Sequence, residues 1–162
     1  MFTPRQFREE GHRRKFLAIV DETPECARAV HYAARRAAAI GNGLALARIV
    51  EPGEFGHWLG VEEIMRSEKR EEAQNLLAAH ADMARARAPG VAVTTAIVEG
   101  EKLPAVGRLI EEDRDIAIMV LAAGEGSDGP GPLVSAVVGK AFPIPVTIVP
   151  ATLTDEEIEN LA

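Results

Sequence analysis

The sequence predicts an α/β fold in which a parallel sheet carries helices on both faces. Short apolar runs alternate with longer segments of helical periodicity, in the order β-α-β-α-β-α-β-α-β. The run at 116–123 is apolar on both faces, as a central parallel strand is. An alternation of this kind favours a single domain whose strands are joined by right-handed crossovers.

Turn and cap residues bound the predicted elements. Thr23 is expected to cap the first helix with its side chain, and Pro24 to begin it. Thr154 and Glu157 predict a capping box that opens a last, acidic helix. The strands are predicted at 16–20, 44–50, 91–98, 116–123 and 145–150, and the helices between them at 24–40, 61–87, 101–112 and 133–139. Apolar residues expected to face the sheet include Cys26, Val30, Ala33, Ala37 and Ile40 on the first helix and Ile64 and Leu77 on the second.

The distribution of charge divides the chain into an N-terminal arm at 1–14, an α/β domain at 15–150 and an acidic tail at 151–162. Residues 1–15 carry five Lys or Arg, and the last twelve residues carry four acids and no Lys or Arg. The arm is either a solvated tail or a contact for an anionic partner. The formal net charge of −7 argues against a general nucleic-acid-binding protein.

Composition also indicates the compartment. The sequence has no apolar run of the roughly 20 residues that span a bilayer, and its N-terminus lacks the apolar core of a signal peptide. Cys26 is the single cysteine, so no internal disulfide forms. We expect a cytoplasmic protein with no membrane contact. The position of Cys26 on an apolar helix face favours a structural thiol over a reactive one.

A glycine-rich segment, GEGSDGPGPLVSAVVGK at 124–140, is the most informative motif. It contains the pattern G-x-G-x-x-G, but the pattern follows the fourth strand, whereas a dinucleotide site needs it after the first. A P-loop would need Gly at 134 and Ser or Thr at 141, where the chain has Val134 and Ala141. The segment therefore either approaches phosphate groups through its backbone N–H groups or simply closes the end of a strand.

A different spacing, Gly126-x2-Gly129-x9-Gly139, resembles the phosphate and ribose loop of the universal stress protein family. The resemblance covers residues 15–150. It includes Asp21 at the end of the first strand, the segments HWLGVEEIMR and GPGPLVS, and the proline-flanked PVTIVP. It implies a flavodoxin-like open sheet of five parallel strands in the order 3-2-1-4-5.

The resemblance also implies a site for ATP or another adenine nucleotide, alone or with Mg²⁺, at the carboxyl ends of the strands. Family members carry Ser or Thr after the last glycine of the loop. Here that residue is Lys140, whose ammonium either replaces the hydroxyl or lies in solvent. Asp21 could instead serve only to cap the first helix. The nucleotide-binding residues implied are Asp21, Ile49 (main chain), Gly126, Gly129, Gly139 and Lys140.

The resemblance finally implies a regulatory protein that forms a homodimer through Pro145–Pro150 and acts on an unidentified protein partner. Its enzymatic activity would be at most slow ATP hydrolysis, because no general base stands out. The acidic tail would reach the dimer junction or fold back on its own sheet. His57 and Trp58 would anchor a loop or cover the crevice. Two alternatives remain open: a dimer that binds no nucleotide and acts through protein contacts, and an oxidoreductase based on the literal G-x-G-x-x-G.

Overall fold

Five strands and five helices make up the part of the chain that the computed structural model describes, residues 13–52, 61–125 and 130–162 (for Val61 and Glu62, the backbone only). The strands are β1 Lys15–Ile19, β2 Gly43–Val50, β3 Val93–Glu99, β4 Ile116–Ala122 and β5 Val146–Val149. The helices are α1 Pro24–Ala39, α2 Val61–Arg87, α3 Lys102–Glu112, α4 Pro132–Val138 and α5 Asp155–Leu161. The predicted elements are thus present, with β3 beginning two residues later than expected.

All strand pairs are parallel, and the sheet order is β3-β2-β1-β4-β5. This confirms the predicted fold class and strand order. β1 lies at the centre, where Leu17 is in register with Ala45 on one side and Met119 on the other. β3 and β5 are the two edge strands.

Alternate residues of each strand enter two separate apolar layers. Phe16 and Ala18 pack with α1 and α2, whereas Leu17 packs with α3 and α4. The buried side of α1 consists mostly of alanines, which allows its backbone to lie close to the sheet. Both faces of the sheet are therefore covered, as a parallel sheet requires.

Two apolar residues predicted to face the sheet are exposed instead. Ile40 is 50% exposed because α1 ends at Ala39 and the chain turns away. Ile64 is 61% exposed, whereas the next residue, Met65, packs against the cluster of Val50 and Ala73 at the end of β2. At this end of α2, Met65 rather than Ile64 therefore contacts the sheet.

The C-terminal helix α5 folds back on its own chain and packs against α1. The predicted capping box of Thr154 and Glu157 is present, and Ile158 is fully buried in the layer formed by α1 and α2. His31, buried on α1, donates a hydrogen bond from Nε2 to Glu159 Oε1 at 2.6 Å. This bond lowers the pKa of Glu159 below its ordinary value. Arg87 on α2 adds an ion pair to Asp155 at 2.8 Å.

Candidate functional site

A cavity of about 150 Å³ opens at the carboxyl edge of the sheet, between the ends of β1, β2 and β4. β1 and β4 are neighbours, but the chain leaves them toward opposite edges of the sheet, so strand order reverses between them. Open α/β sheets bind ligands at such a point. The cavity wall is formed by Ile19, Asp21, Thr23, Glu25, Cys26, Ala29, Arg48, Ile49, Lys102, Leu121, Ala122 and Pro130–Val134.

Asp21 shapes the turn that leads from β1 into α1. Its Oδ1 accepts a hydrogen bond from the backbone N–H of Thr23 at 2.9 Å and another from the Thr23 hydroxyl. Such side-chain-to-backbone bonding two residues onward is an Asx turn. Thr23 was expected to cap α1 with its side chain, and this is wrong: it makes no capping bond, because its hydroxyl donates to Asp21. α1 does begin at Pro24, as predicted.

Cys26 lies in the cavity wall beneath this turn. The backbone N–H of Asp21 donates to Cys26 Sγ at 3.4 Å, and the thiol donates to the Ile19 carbonyl at 3.7 Å. Burial raises the pKa of the thiol to about 12. Cys26 is therefore a structural thiol, protonated at neutral pH, that joins β1 to α1.

The raised pKa predicts that Cys26 resists alkylation in the folded protein. Only the thiolate reacts, and at pH 8 its fraction is very small. We expect iodoacetamide to leave the native chain unmodified while labelling it fully in urea, as measured by the mass of the intact protein. Rapid labelling of the native chain, at the rate of the unfolded control, would contradict the buried position of the thiol.

Two ion pairs in the described part of the chain lie at or beside the cavity. Arg48 contacts Glu22 at 2.7 Å. Arg28, on α1, contacts Glu125 at 3.2 Å and so connects α1 to the segment that follows β4. Lys102, the first residue of α3, also lines the cavity.

The segment between β4 and α4 reaches the cavity at Pro130 and Gly131, and its other described end is bonded to Pro130. The Gly124 N–H donates to the Pro130 carbonyl at 3.3 Å. Gly131, at the N-cap of α4, has a φ of 103°, which favours glycine. Pro132 then begins α4, a position that suits its missing N–H group.

The structure brings two of the predicted nucleotide-binding residues together. Asp21 and Ile49 both line the cavity. Gly139 and Lys140 do not, because they follow the last residue of α4 and are exposed. α4 begins at the cavity, and its seven residues carry the chain about 10 Å away. Gly126 and Gly129 lie outside the described residues, as do His57 and Trp58.

Sequence reasoning missed Arg48 and Lys102 as cavity residues, and it included Gly131 only as part of the glycine-rich segment. The position of Lys102 in the sequence could have indicated that it lies near the cavity. It follows Glu99 and Gly100 at the end of β3, and all strand ends of a parallel sheet meet at one edge. The pattern at Gly131 is less specific: a glycine immediately before a proline at the start of a helix.

Two other kinds of site are absent from the described residues. None of the helices there combines the length and apolar character needed to cross a bilayer. In the same part of the chain, no three His, Cys, Asp or Glu side chains are grouped so that they could hold a metal ion.

Comparisons with known proteins agree with this geometry. The family model described as "Universal stress protein family" matches residues 12–150. No curated protein matches the chain. Among solved structures, a protein from the universal stress protein family from Burkholderia pseudomallei aligns with a TM-score of 0.68 at 20% identity, covering 88% of this chain and 100% of that one.

Two further structures contain a nucleotide. The universal stress protein from Archaeoglobus fulgidus in complex with dAMP aligns with a TM-score of 0.56 at 19% identity, covering 84% of this chain and 96% of that one. An Arabidopsis thaliana protein of the family with AMP bound aligns with a TM-score of 0.58 at 16% identity, covering 88% and 94%. These structures share the fold of this chain, and the family model matches most of its length. The chain belongs to the universal stress protein family.

Proposed function

We propose that this universal stress protein binds an adenine nucleotide in the cavity at the carboxyl edge of its sheet and acts as a cytoplasmic regulatory protein. The observation that carries the proposal is the position of the cavity. Asp21, Ile49 and Pro130–Pro132 of the glycine-rich segment line it where strand order reverses. The AMP and dAMP named for two similar structures support an adenine ligand.

The chemistry of the wall suggests which residues would contact the base, the ribose and the phosphates of the nucleotide. Ile19, Ile49 and Leu121 offer apolar surface for a base. The Asp21 carboxylate accepts hydrogen bonds and would suit the ribose hydroxyl groups. In this proposal the phosphates extend toward the glycine-rich segment, where Gly126 and Gly129 would present backbone N–H groups.

The size of the cavity limits what its described walls can hold. Its volume of about 150 Å³ is below the roughly 300–1,000 Å³ typical of ligand pockets. Part of a nucleotide fits between the described walls, and the rest would lie along the segment that Arg28 holds through Glu125. Gly139 and Lys140 take no part in this version of the site.

The direct test is to look for bound nucleotide. The purified protein is denatured, and the released small molecules are identified by mass spectrometry. AMP, ADP and ATP are then titrated by calorimetry, with and without Mg²⁺. We expect an adenine nucleotide to be released or to bind at one site per chain. A protein that is purified empty and gives no heat with any of the three would refute the proposal.

A second candidate function needs no nucleotide: a dimeric stress protein that acts through protein contacts alone. It is favoured by the small cavity and by Pro130 and Pro132, whose rings line it. The calorimetric experiment decides between the two functions. For the nucleotide-binding function we propose no catalysis beyond slow ATP hydrolysis, and for the second function we propose none.

We further propose a homodimer formed through the last strand. β5 is an edge strand, and edge strands tend to pair with another chain. Ile148 on this strand is 37% exposed. Light scattering after size exclusion should give twice the chain mass for the wild type and the chain mass for Ile148→Lys. Val138→Lys, on an exposed site of α4, is the control and should stay dimeric. A monomeric wild type, or a dimeric Ile148→Lys variant, would contradict this interface.

A further inference from the structure

We propose that Lys102 is the anion anchor of the cavity and that its ammonium holds a phosphate group of the bound nucleotide. The inference rests on the proposed function and assigns a role to a residue outside the glycine-rich segment. Lys102 is partly buried and lines the same cavity as Asp21 and Ile49. It enters the cavity wall from α3, on the opposite face of the sheet from α1.

The pairing of charges singles out Lys102. Arg48 is paired with Glu22, and Arg28 is paired with Glu125. Within the described ranges, Lys102 is the cation of the cavity wall that has no ion-pair partner. The same wall holds the carboxylates of Asp21 and Glu25, but neither forms an ion pair with Lys102. A partly buried ammonium without an ion-pair partner favours an anionic ligand, because screening by water is reduced there.

The backbone that leads to Lys102 is held firmly. The N–H of Gly100 donates to the Val50 carbonyl of β2 at 2.9 Å. Arg108 on α3 donates from Nη2 to the Glu99 carbonyl at 2.6 Å. Gly100 itself has a φ of 139°, and a Cβ there would lie 3.1 Å from the Arg108 guanidinium. The turn is therefore hydrogen-bonded to a strand and to a helix, so the backbone that precedes Lys102 is held in place.

The first position of α4 offers no donor to a phosphate group. Pro132 stands at its first position and has neither a hydroxyl nor a backbone N–H to donate. Lys140, the lysine at the end of the glycine-rich segment, is exposed and outside the cavity. Of the lysines at 102 and 140, only Lys102 is placed to contact a ligand in the cavity.

Calorimetry with AMP and adenosine tests the assignment. We expect the wild type to bind AMP more tightly than adenosine. Lys102→Met, which keeps the length of the side chain, should weaken AMP binding about 10- to 100-fold and change adenosine binding less than about twofold. Lys140→Met is the matched control and should bind both ligands like the wild type. Equal AMP affinity of Lys102→Met and the wild type would overturn the assignment while leaving nucleotide binding intact.

A second measurement separates this inference from the proposed function. Pyrophosphate is added to each protein, and the thermal unfolding midpoint is recorded. We expect pyrophosphate to raise the midpoint of the wild type and of Lys140→Met but not that of Lys102→Met. If no adenine compound binds yet this difference appears, Lys102 is an anion anchor and the proposed nucleotide function is wrong. If neither AMP nor pyrophosphate distinguishes Lys102→Met from the wild type, the anchor is refuted.

Discussion

Replacing Asp21 with Asn is expected to weaken adenine nucleotide binding by about 10- to 100-fold while leaving the fold intact. Hydrogen bonds to a charged group are worth roughly 1.5–3 kcal/mol, and each 1.4 kcal/mol is about tenfold in affinity. An Asn carbonyl can still accept from the Thr23 N–H, so the Asx turn is kept. What the variant loses is the negative charge, which strengthens hydrogen bonds from ribose hydroxyl groups.

The measurement is the dissociation constant by calorimetry, with the urea midpoint as a check on the fold. Glu101→Gln is the matched control, because it removes one carboxylate from an exposed residue outside the cavity wall. It should bind nucleotide like the wild type. If Asp21→Asn binds as tightly as the wild type, Asp21 serves only the turn, and its proposed role in the site is wrong.

Replacing Ile158 with Ala is expected to lower the free energy of unfolding by about 2–5 kcal/mol, the range for removing a fully buried Ile side chain. Ile158 is 0% exposed and belongs to the layer between the sheet and α1. α5 has only seven residues and is too short to be stable alone, so its helix depends on this contact. The ion pairs of Glu159 and Asp155 lie at the surface and contribute less.

Urea denaturation measures the loss, and Leu161→Ala provides the control. Leu161 lies on the same helix but is 63% exposed, so its replacement should change stability by about 0.5 kcal/mol or less. A midpoint for Ile158→Ala equal to that of Leu161→Ala would show that α5 is not docked as described.

The local pattern of the sequence was sufficient to predict the strands and helices. Runs such as 116–123 are apolar on both faces, and turn residues separate them from amphipathic helices, so the element types followed from the pattern. The strand order came from the resemblance to the universal stress protein family. The exposure of Ile40 and Ile64 could not be predicted in the same way. Helical periodicity shows which face of a helix is apolar, but not which residues near its ends find an apolar partner. The burial of His31 also depends on a distant partner, Glu159 on α5.

The candidate site was predicted only in part. Asp21 also follows from a general rule, because strand ends of a parallel sheet meet at one edge. Ile49 was predicted from the family resemblance alone. Gly139 and Lys140 were chosen from the spacing of glycines, and spacing does not show where a loop becomes a helix. Since α4 begins at Pro132, the last glycine of the pattern lies beyond the helix rather than at the cavity.

The central position of β1 also constrains how the chain folds. Lys15 pairs with Gly43 on one side and with Ile116 on the other, so the second pairing joins segments about 100 residues apart. Contacts between distant segments slow folding relative to helical proteins of equal length. During synthesis β1 leaves the ribosome about 100 residues before β4, and one of its edges stays open for that interval. The growing polypeptide must therefore protect the edge of an apolar strand from aggregation until β4 has emerged.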